Sequence, residues 1–221
     1  MTLFRTVLFT SGVALALCAG AAQSAQNTTA GRPMMTLQMP ATPDPARVTL
    51  NPRTTALMVL DYVEDICNRQ PSCKGKMLPA MTPFMERVRR AGMVVAYGTR
   101  EQNQAHWLKE VAPTAADIKI INVAQDRFYN TDLDRQLKAK GITTIIMVGW
   151  KVSGSVTYTS VGAMARDYTV VIPVDTTSAA TDYETTIGFY NVLNSGNANL
   201  PNEPLKKSAV TLSRTDLITF Q

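Results

Sequence analysis

The sequence has a single histidine, His106, among 221 residues. A metal site that needs two histidines is therefore outside its reach. Cysteine is scarce too: Cys18, Cys67 and Cys73 are too few for a disulfide-built miniprotein. Aromatics make up 7% and charged residues 18%, against 45% hydrophobic, a balance that excludes a disordered chain. Lys and Arg outnumber Asp and Glu by 22 to 17, for a formal net charge of +5, yet the basic residues never form a run of four. A nucleic-acid surface needs clustered positive charge, so no nucleic-acid partner is expected. There is no internal repeat and no second domain boundary. The length suits one domain.

Residues 1–25 have the make-up of a secretory signal peptide. Arg5 supplies the positive start, and Thr6 to Ala22 carries no charge and is mostly apolar. Small residues follow, with Ala19-Gly20-Ala21 and Ala22-Gln23-Ser24-Ala25 as candidate cleavage sites. The apolar run is roughly 15 residues against the about 20 that span a bilayer, so no stable membrane span is expected after cleavage. Two alternatives stand beside it. One is a lipoprotein built on Cys18, although Leu17 occupies the place where a small residue is wanted. The other is an uncleaved N-terminal anchor. Export implies a periplasmic or secreted protein in an oxidising compartment. Cys67 and Cys73 then remain as an even pair, and a disulfide between them would stabilise by roughly 2 kcal/mol. The competing reading is two reduced thiols, one of them reactive. Residues 26–53 are rich in Thr, Pro, Gln and Met without a period, and Pro40, Pro43 and Pro45 block regular structure. They read as an extended arm over the domain or as a flexible leader.

The domain proper spans residues 54–221. Thr55 to Leu60 is a short apolar run ending in Asp61, the pattern of a buried strand. Met77 to Ala91 places Leu78, Met81, Met85 and Val88 on one helical face, with Gly92 as its stop. Further strands are expected at 93–97, 118–123, 143–148, 169–174 and 210–212. Further helices are expected at 131–140, 155–168 and 182–193. Strands that are apolar throughout, alternating with helices, argue for an α/β fold with a parallel sheet covered on both faces. In such sheets ligands sit at the carboxyl ends of the strands. The polar residues this places there are Asp61, Thr99, Arg100, Lys151, Ser153, Ser155 and Asp175.

Three segments together resemble the isochorismatase-like family, also called the cysteine hydrolase family. The first is Ala56-Leu57-Met58-Val59-Leu60-Asp61. The second is Phe128-Tyr129-Asn130-Thr131-Asp132-Leu133, followed by Leu137 and Gly141. The third runs from Ile145-Ile146-Met147-Val148-Gly149 through Ser155, Ala163 and Asp167 to Val170-Val171-Ile172-Pro173-Val174-Asp175. The similarity extends from about Thr54 to Ser213. It implies a three-layer α/β/α flavodoxin-like domain with a mainly parallel sheet. It also implies a small-molecule substrate, with hydrolysis of C–N bonds in small amides as the frequent activity, no cofactor, and a homo-oligomer, since relatives often form dimers or tetramers. The family's usual Asp, Lys and Cys fall on Asp61, Asn122 and Ser155. One of the three is kept. Some relatives hold zinc with an aspartate and two histidines, which a chain with His106 alone does not support.

The replaced positions carry chemical consequences. A serine hydroxyl is a much weaker acid than a thiol and needs a working base. Asp61 is the candidate base or acid, Ser155 the candidate nucleophile, and Lys151 the candidate electrostatic helper. Lys119 lies three residues before Asn122 and should face the other side of its strand. Asn122, Trp150 and Ser153 are candidate substrate contacts, with Trp150 as a wall for an apolar or aromatic ligand. Plainer roles compete with each of these: a strand-end carboxylate for Asp61, a helix-start serine for Ser155, a surface lysine for Lys151, a strand-end polar residue for Asn122, and core or interface packing for Trp150. Glu64 and Asp65 read as a loop acidic pair, and His106 as structural. Two classes of function follow. One is an exported hydrolase acting on a small amide or related carbonyl. The other is a catalytically silent member that binds a small molecule or a protein partner. Within the enzyme class, true isochorismatases lack the cysteine and use the aspartate to protonate an enol ether, which the serine here allows.

Overall fold

Strand β2 (Thr55–Leu60) is buried at all six positions, which is why Thr-Ala-Leu-Met-Val-Leu shows no polar alternation. It is flanked by β3 (Val94–Thr99) and β5 (Thr144–Trp150), both parallel to it. β4 (Ile118–Ile121) extends the sheet beyond β3, while β6 (Thr169–Pro173) and β8 (Val210–Ser213) extend it beyond β5. The order is β4-β3-β2-β5-β6-β8, and the two-residue strand β7 (Thr177–Ser178) joins the end of β5 in parallel. The computed structural model describes Thr36, residues 38–103 and residues 106–221. The leader at 1–25 and most of the arm before Pro40 lie outside the described residues.

The two faces of the sheet take alternate side chains of the same strands. Ala56, Met58 and Leu60 pack with helices α3 (Leu133–Ala139), α4 (Thr157–Met164) and α5 (Asp182–Leu193) through Leu133, Leu137, Met164, Phe189 and Val192. Leu57 and Val59 pack with α1 (Glu64–Arg69) and α2 (Leu78–Arg90) through Cys67, Met81, Phe84, Met85 and Val88. The result is the expected three-layer α/β/α arrangement with a mainly parallel sheet. Full burial of one Leu, Val or Phe side chain contributes about 1.5–3 kcal/mol, so these faces dominate the stability.

Several element ends differ from the sequence reading, each for a local reason. The helix expected over 155–168 is α4 at Thr157–Met164. It is delayed by a wide turn at Val152–Val156 in which Gly154 takes φ −135° and ψ −115°. Helix α5, by contrast, begins at Asp182 as expected, because the Thr181 side chain accepts the Glu184 N–H, the start signal of a capped helix. α1 has six residues, of which only Cys67 is buried, so no period announces it. Cys67 and Cys73 are bonded, with Cα atoms 5.0 Å apart.

The segment after Pro40 lies along the domain. Ala46 N–H donates to the Leu212 carbonyl at 2.9 Å, and the Asn202 amide donates to the Asp44 carbonyl at 2.9 Å. Within this stretch β1 (Val48–Leu50) pairs in parallel with β9 (Ile218–Phe220), forming a separate two-stranded sheet. Arg87 of α2 clamps β9: its guanidinium donates to the carbonyls of Thr215 and Ile218 and lies 5.5 Å from the Phe84 and Phe220 ring centres. Among the described residues no helix is long and apolar enough to cross a membrane.

Candidate active site

Chain order decides where a cleft must open. From β2 the chain moves outward to β3 and β4, then returns to the other side of β2 to lay down β5, β6 and β8. The loops after β2 and β5 therefore part from one another, and a crevice forms at the carboxyl ends of that strand pair. Gly149 makes the junction close. Its φ is 129°, and a Cβ there would lie 2.0 Å from the Leu60 carbonyl oxygen, so only glycine fits. The Trp150–Lys151 peptide bond that follows is cis.

The crevice is a cleft of about 300 Å³. Asp61 lies at its floor. Trp150, Lys151, Gly154 and Ser155 line it from the loop after β5, Arg100 and Asn103 from the end of β3, and Asp65, Ile66 and Arg69 from α1. Gln125 reaches it from the loop after β4. Asp61, Lys151 and Ser155, chosen from sequence as the candidate chemical groups, thus share one cleft, and Trp150 forms part of its wall.

Asp61 is 6% exposed and has φ 54°, an unusual left-handed conformation for a residue with a side chain. Its N–H donates to the Gly98 carbonyl at 3.0 Å. Both carboxylate oxygens are engaged. Oδ1 accepts from the Thr99 hydroxyl at 2.8 Å, and Oδ2 accepts from Arg127 Nη2 at 2.9 Å. Arg127 is a functional candidate that the sequence reading missed. It is 1% exposed, and its Nη1 donates to the Asn122 carbonyl at 3.0 Å, the Asn122 side-chain oxygen at 2.8 Å and the Ala124 carbonyl at 2.7 Å. Gly98 opens the path for its stem, since a Cβ there would lie 2.8 Å from Arg127 Cγ. Breaking such a buried pair by removing one partner costs about 3–5 kcal/mol.

Asn122 is not a lining residue of the cleft. Its side-chain oxygen receives Arg127, and its amide donates to the Asp126 and Tyr129 carbonyls at 3.2 Å each. The loop is bolted to α4 by Thr159, whose hydroxyl donates to the Gln125 carbonyl at 3.0 Å and accepts the Arg127 N–H at 3.3 Å. Burial pushes the Asp126 carboxyl up from its ordinary value.

Lys151 lines the cleft with its stem while its ammonium pairs with Glu184 of α5. Ser153 turns the same way and donates to Glu184 Oε1 at 2.6 Å. The hydrogen bond from Lys151, and after it that from Ser153, hold the Glu184 carboxyl below its usual range. Ser155 is half-buried and lines the cleft; among the described residues no side chain hydrogen-bonds its hydroxyl. Asp175, also placed at a strand end from sequence, faces away and accepts from the Thr215 N–H and hydroxyl. His106 is exposed in the loop before Trp107, and its carbonyl accepts the Glu64 N–H at 2.8 Å. With His106 as its one histidine, the donor set does not fit zinc held by an aspartate and two histidines.

Sheet order and cleft position define a doubly wound α/β protein whose ligand cleft opens at the switch point of its sheet. Residues 55–199 match the family model described as the isochorismatase domain, and the chain belongs to the isochorismatase family, a family of hydrolases. The isochorismatase family protein YecD of Escherichia coli O157:H7, itself uncharacterized, is 30% identical over 156 residues, 59% of this chain and 83% of YecD. Among solved structures, N-carbamoylsarcosine amidase of Thermoplasma acidophilum is similar with a TM-score of 0.61 at 22% identity, over 74% of this chain and 97% of that one. Pyrazinamidase of Pyrococcus horikoshii, solved in complex with zinc, is similar with a TM-score of 0.61 at 12% identity, over 73% of this chain and 99% of that one. At these identities the two structures establish the fold.

Proposed function

We propose that the protein is an exported hydrolase of this family that acts on a small amide or a related carbonyl compound. The observation that carries the reading is the single cleft at the sheet's switch point, lined together by Asp61, Lys151 and Ser155. In this reading Ser155 Oγ attacks the substrate carbonyl and its proton passes to Asp61. The carbonyl oxygen gains the charge, next to the turn that opens α4, whose first backbone N–H groups form the positive end of that helix. Collapse of the adduct breaks the C–N bond, and the proton returns from Asp61 to the leaving nitrogen. Water then hydrolyses the acyl group on Ser155 by the reverse proton path. Trp150 offers an apolar wall, and Lys151 adds its stem while its ammonium stays paired with Glu184. The likeness to an amidase and a pyrazinamidase supports an amide as the first substrate class to try.

Export is part of the proposal. It is supported by the charge-free run Thr6–Ala22 after Arg5 and by the bonded pair Cys67 and Cys73. Cell fractionation with an antibody to the domain would find the shortened chain outside the cytoplasm; a full-length cytoplasmic chain would sink this part.

A second reading, a catalytically silent member that binds a small molecule, is favoured by a specific observation. Both Asp61 oxygens already have donors, and the Lys151 ammonium is held by Glu184. One experiment separates the two. The purified mature protein is screened against small amides and esters, and any turnover is compared with Asp61→Ala and Ser155→Ala. Turnover that both changes abolish supports the hydrolase. Turnover indifferent to both removes it, and a ligand-induced rise in melting temperature without turnover favours the binder.

A further inference from the structure

Arg127 is the largest fully buried side chain among the described residues. A charged residue is rarely buried so completely unless it is paired, and a core gains no packing from a guanidinium that an apolar side chain would not supply. Its contacts divide unevenly between its two terminal nitrogens. Nη1 is spent on the loop, on three acceptors contributed by Asn122 and Ala124. Nη2 is presented to Asp61 Oδ2 at 2.9 Å. The loop thus grips one prong of a planar fork and aims the other at the cleft-floor carboxylate. Thr99 meets the other oxygen at 2.8 Å, so the carboxylate is fixed from two sides at the end of its strand. Lys151, the cation nearer in sequence to Ser155, is committed to Glu184.

We infer that Arg127, held by Asn122, is the positioning residue of the site: it sets the direction of the Asp61 carboxylate and supplies the buried positive charge that faces it. This rests on the hydrolase reading, and it assigns to Asn122 the work of orienting a cation rather than touching substrate. Arg127 does not line the cleft, so it acts through Asp61. Its loss should therefore depress the chemical step and spare substrate binding. A lysine can restore charge but not the fork, because one ammonium cannot both satisfy the loop acceptors and keep the second prong in place.

The test compares wild type with Arg127→Met, Arg127→Lys and Asp61→Asn, each checked for folding by its thermal melt. Steady-state kinetics use the best small amide or ester found in the screen, and 15N NMR follows the Arg127 guanidinium. Arg127→Met should lower kcat by about 100-fold, the usual result of misplacing a reacting group by an ångström, while KM stays within about threefold. Arg127→Lys should fall between the two. In wild type the Arg127 Nη protons should give separate, slowly averaging signals, which Asp61→Asn should merge. A folded Arg127→Met with kcat within about twofold of wild type, or Nη signals unmoved by Asp61→Asn, overturns the inference. If Arg127→Met does not fold, Arg127→Lys and the NMR signature decide. If wild type turns over no amide or ester, the hydrolase reading alone fails, and the Nη signals still decide whether Arg127 orients Asp61.

Discussion

Replacing Gly149 by alanine probes the joint on which the cleft depends. Gly149 is the register partner of Leu60, the residue just before Asp61. At φ 129° its backbone sits where L side chains are strained by about 1–3 kcal/mol. The added Cβ would also stand 2.0 Å from the Leu60 carbonyl oxygen, a backbone atom that cannot rotate away. Relief requires the end of β5 to move off β2. That movement disturbs the last ladder bonds and the Gly149 N–H to Thr176 carbonyl bond at 3.1 Å, at about 1 kcal/mol for each bond lost. The sum is about 3–5 kcal/mol, which in a domain of this size lowers the melting temperature by about 10 °C. Gly92→Ala is the matched control: its φ is 66°, but nothing lies within 4 Å of the new Cβ, so about 1 kcal/mol is expected. Both variants would be melted beside wild type with circular dichroism as the readout. If Gly149→Ala melts within about 2 °C of Gly92→Ala, the close approach of β5 to Leu60 is not a packing constraint, and the account of the cleft fails with it.

Thr99→Val removes the hydroxyl that donates to Asp61 Oδ1 and should cost about 1–3 kcal/mol in urea unfolding; an unmoved midpoint would show that the carboxylate does not depend on it. The Cys67–Cys73 bond closes a short loop, with a sequence separation of 6. Dithiothreitol should therefore destabilise wild type by about 2 kcal/mol and leave Cys67→Ser/Cys73→Ser unchanged, and equal responses would refute the link. Asp117 gives a pH prediction. Burial pushes its carboxyl up, but hydrogen bonds from Arg89 at 2.5 and 2.6 Å and from Thr114 outweigh it and hold the carboxyl below the usual range. A carboxyl lowered in the folded state stabilises the fold above its unfolded value near 4, and that contribution fades as pH falls through the folded value. Urea midpoints taken from about pH 6 down to about pH 2 should fall less steeply in Asp117→Asn; parallel acid limbs would contradict the pairing.

The elements legible in the sequence are those whose burial leaves a mark. β2, β5 and β6 read as strands because both their faces are covered, and α5 because Thr181 caps it and Asp182 and Glu184 fill its first turn. β1 and β9 have three residues each and take their identity from one another across the chain, so neither carries a signal alone. The cleft residues Asp61, Lys151, Ser155 and Trp150 were within reach because they lie at or just after strand ends at the switch point. Arg127 was not. It lies in an irregular loop, and an arginine beside Phe128 reads as surface charge until the path past Gly98 is known. One clue was available: the missing positive charge at Asn122 has an arginine five residues further on, close enough for a loop to bring it back. Ser153, expected as a substrate contact beside the nucleophile candidate Ser155, was misplaced because the wide turn at Val152–Val156 sends its hydroxyl toward Glu184 and leaves Ser155 on the cleft.

The small sheet of β1 and β9 is a long-range closure: the Thr49 and Thr219 hydroxyls meet at 2.9 Å across a sequence separation of 170. Such a pairing forms only against the entropy of closing that long loop. Among the described residues Val48–Leu50 has no strand partner but Ile218–Phe220. Until the two meet, their backbone donors and acceptors stay open, and the anchoring arginine of α2 lacks the carbonyls it grips. This seam is therefore the part of the fold that fastens late and loosens early.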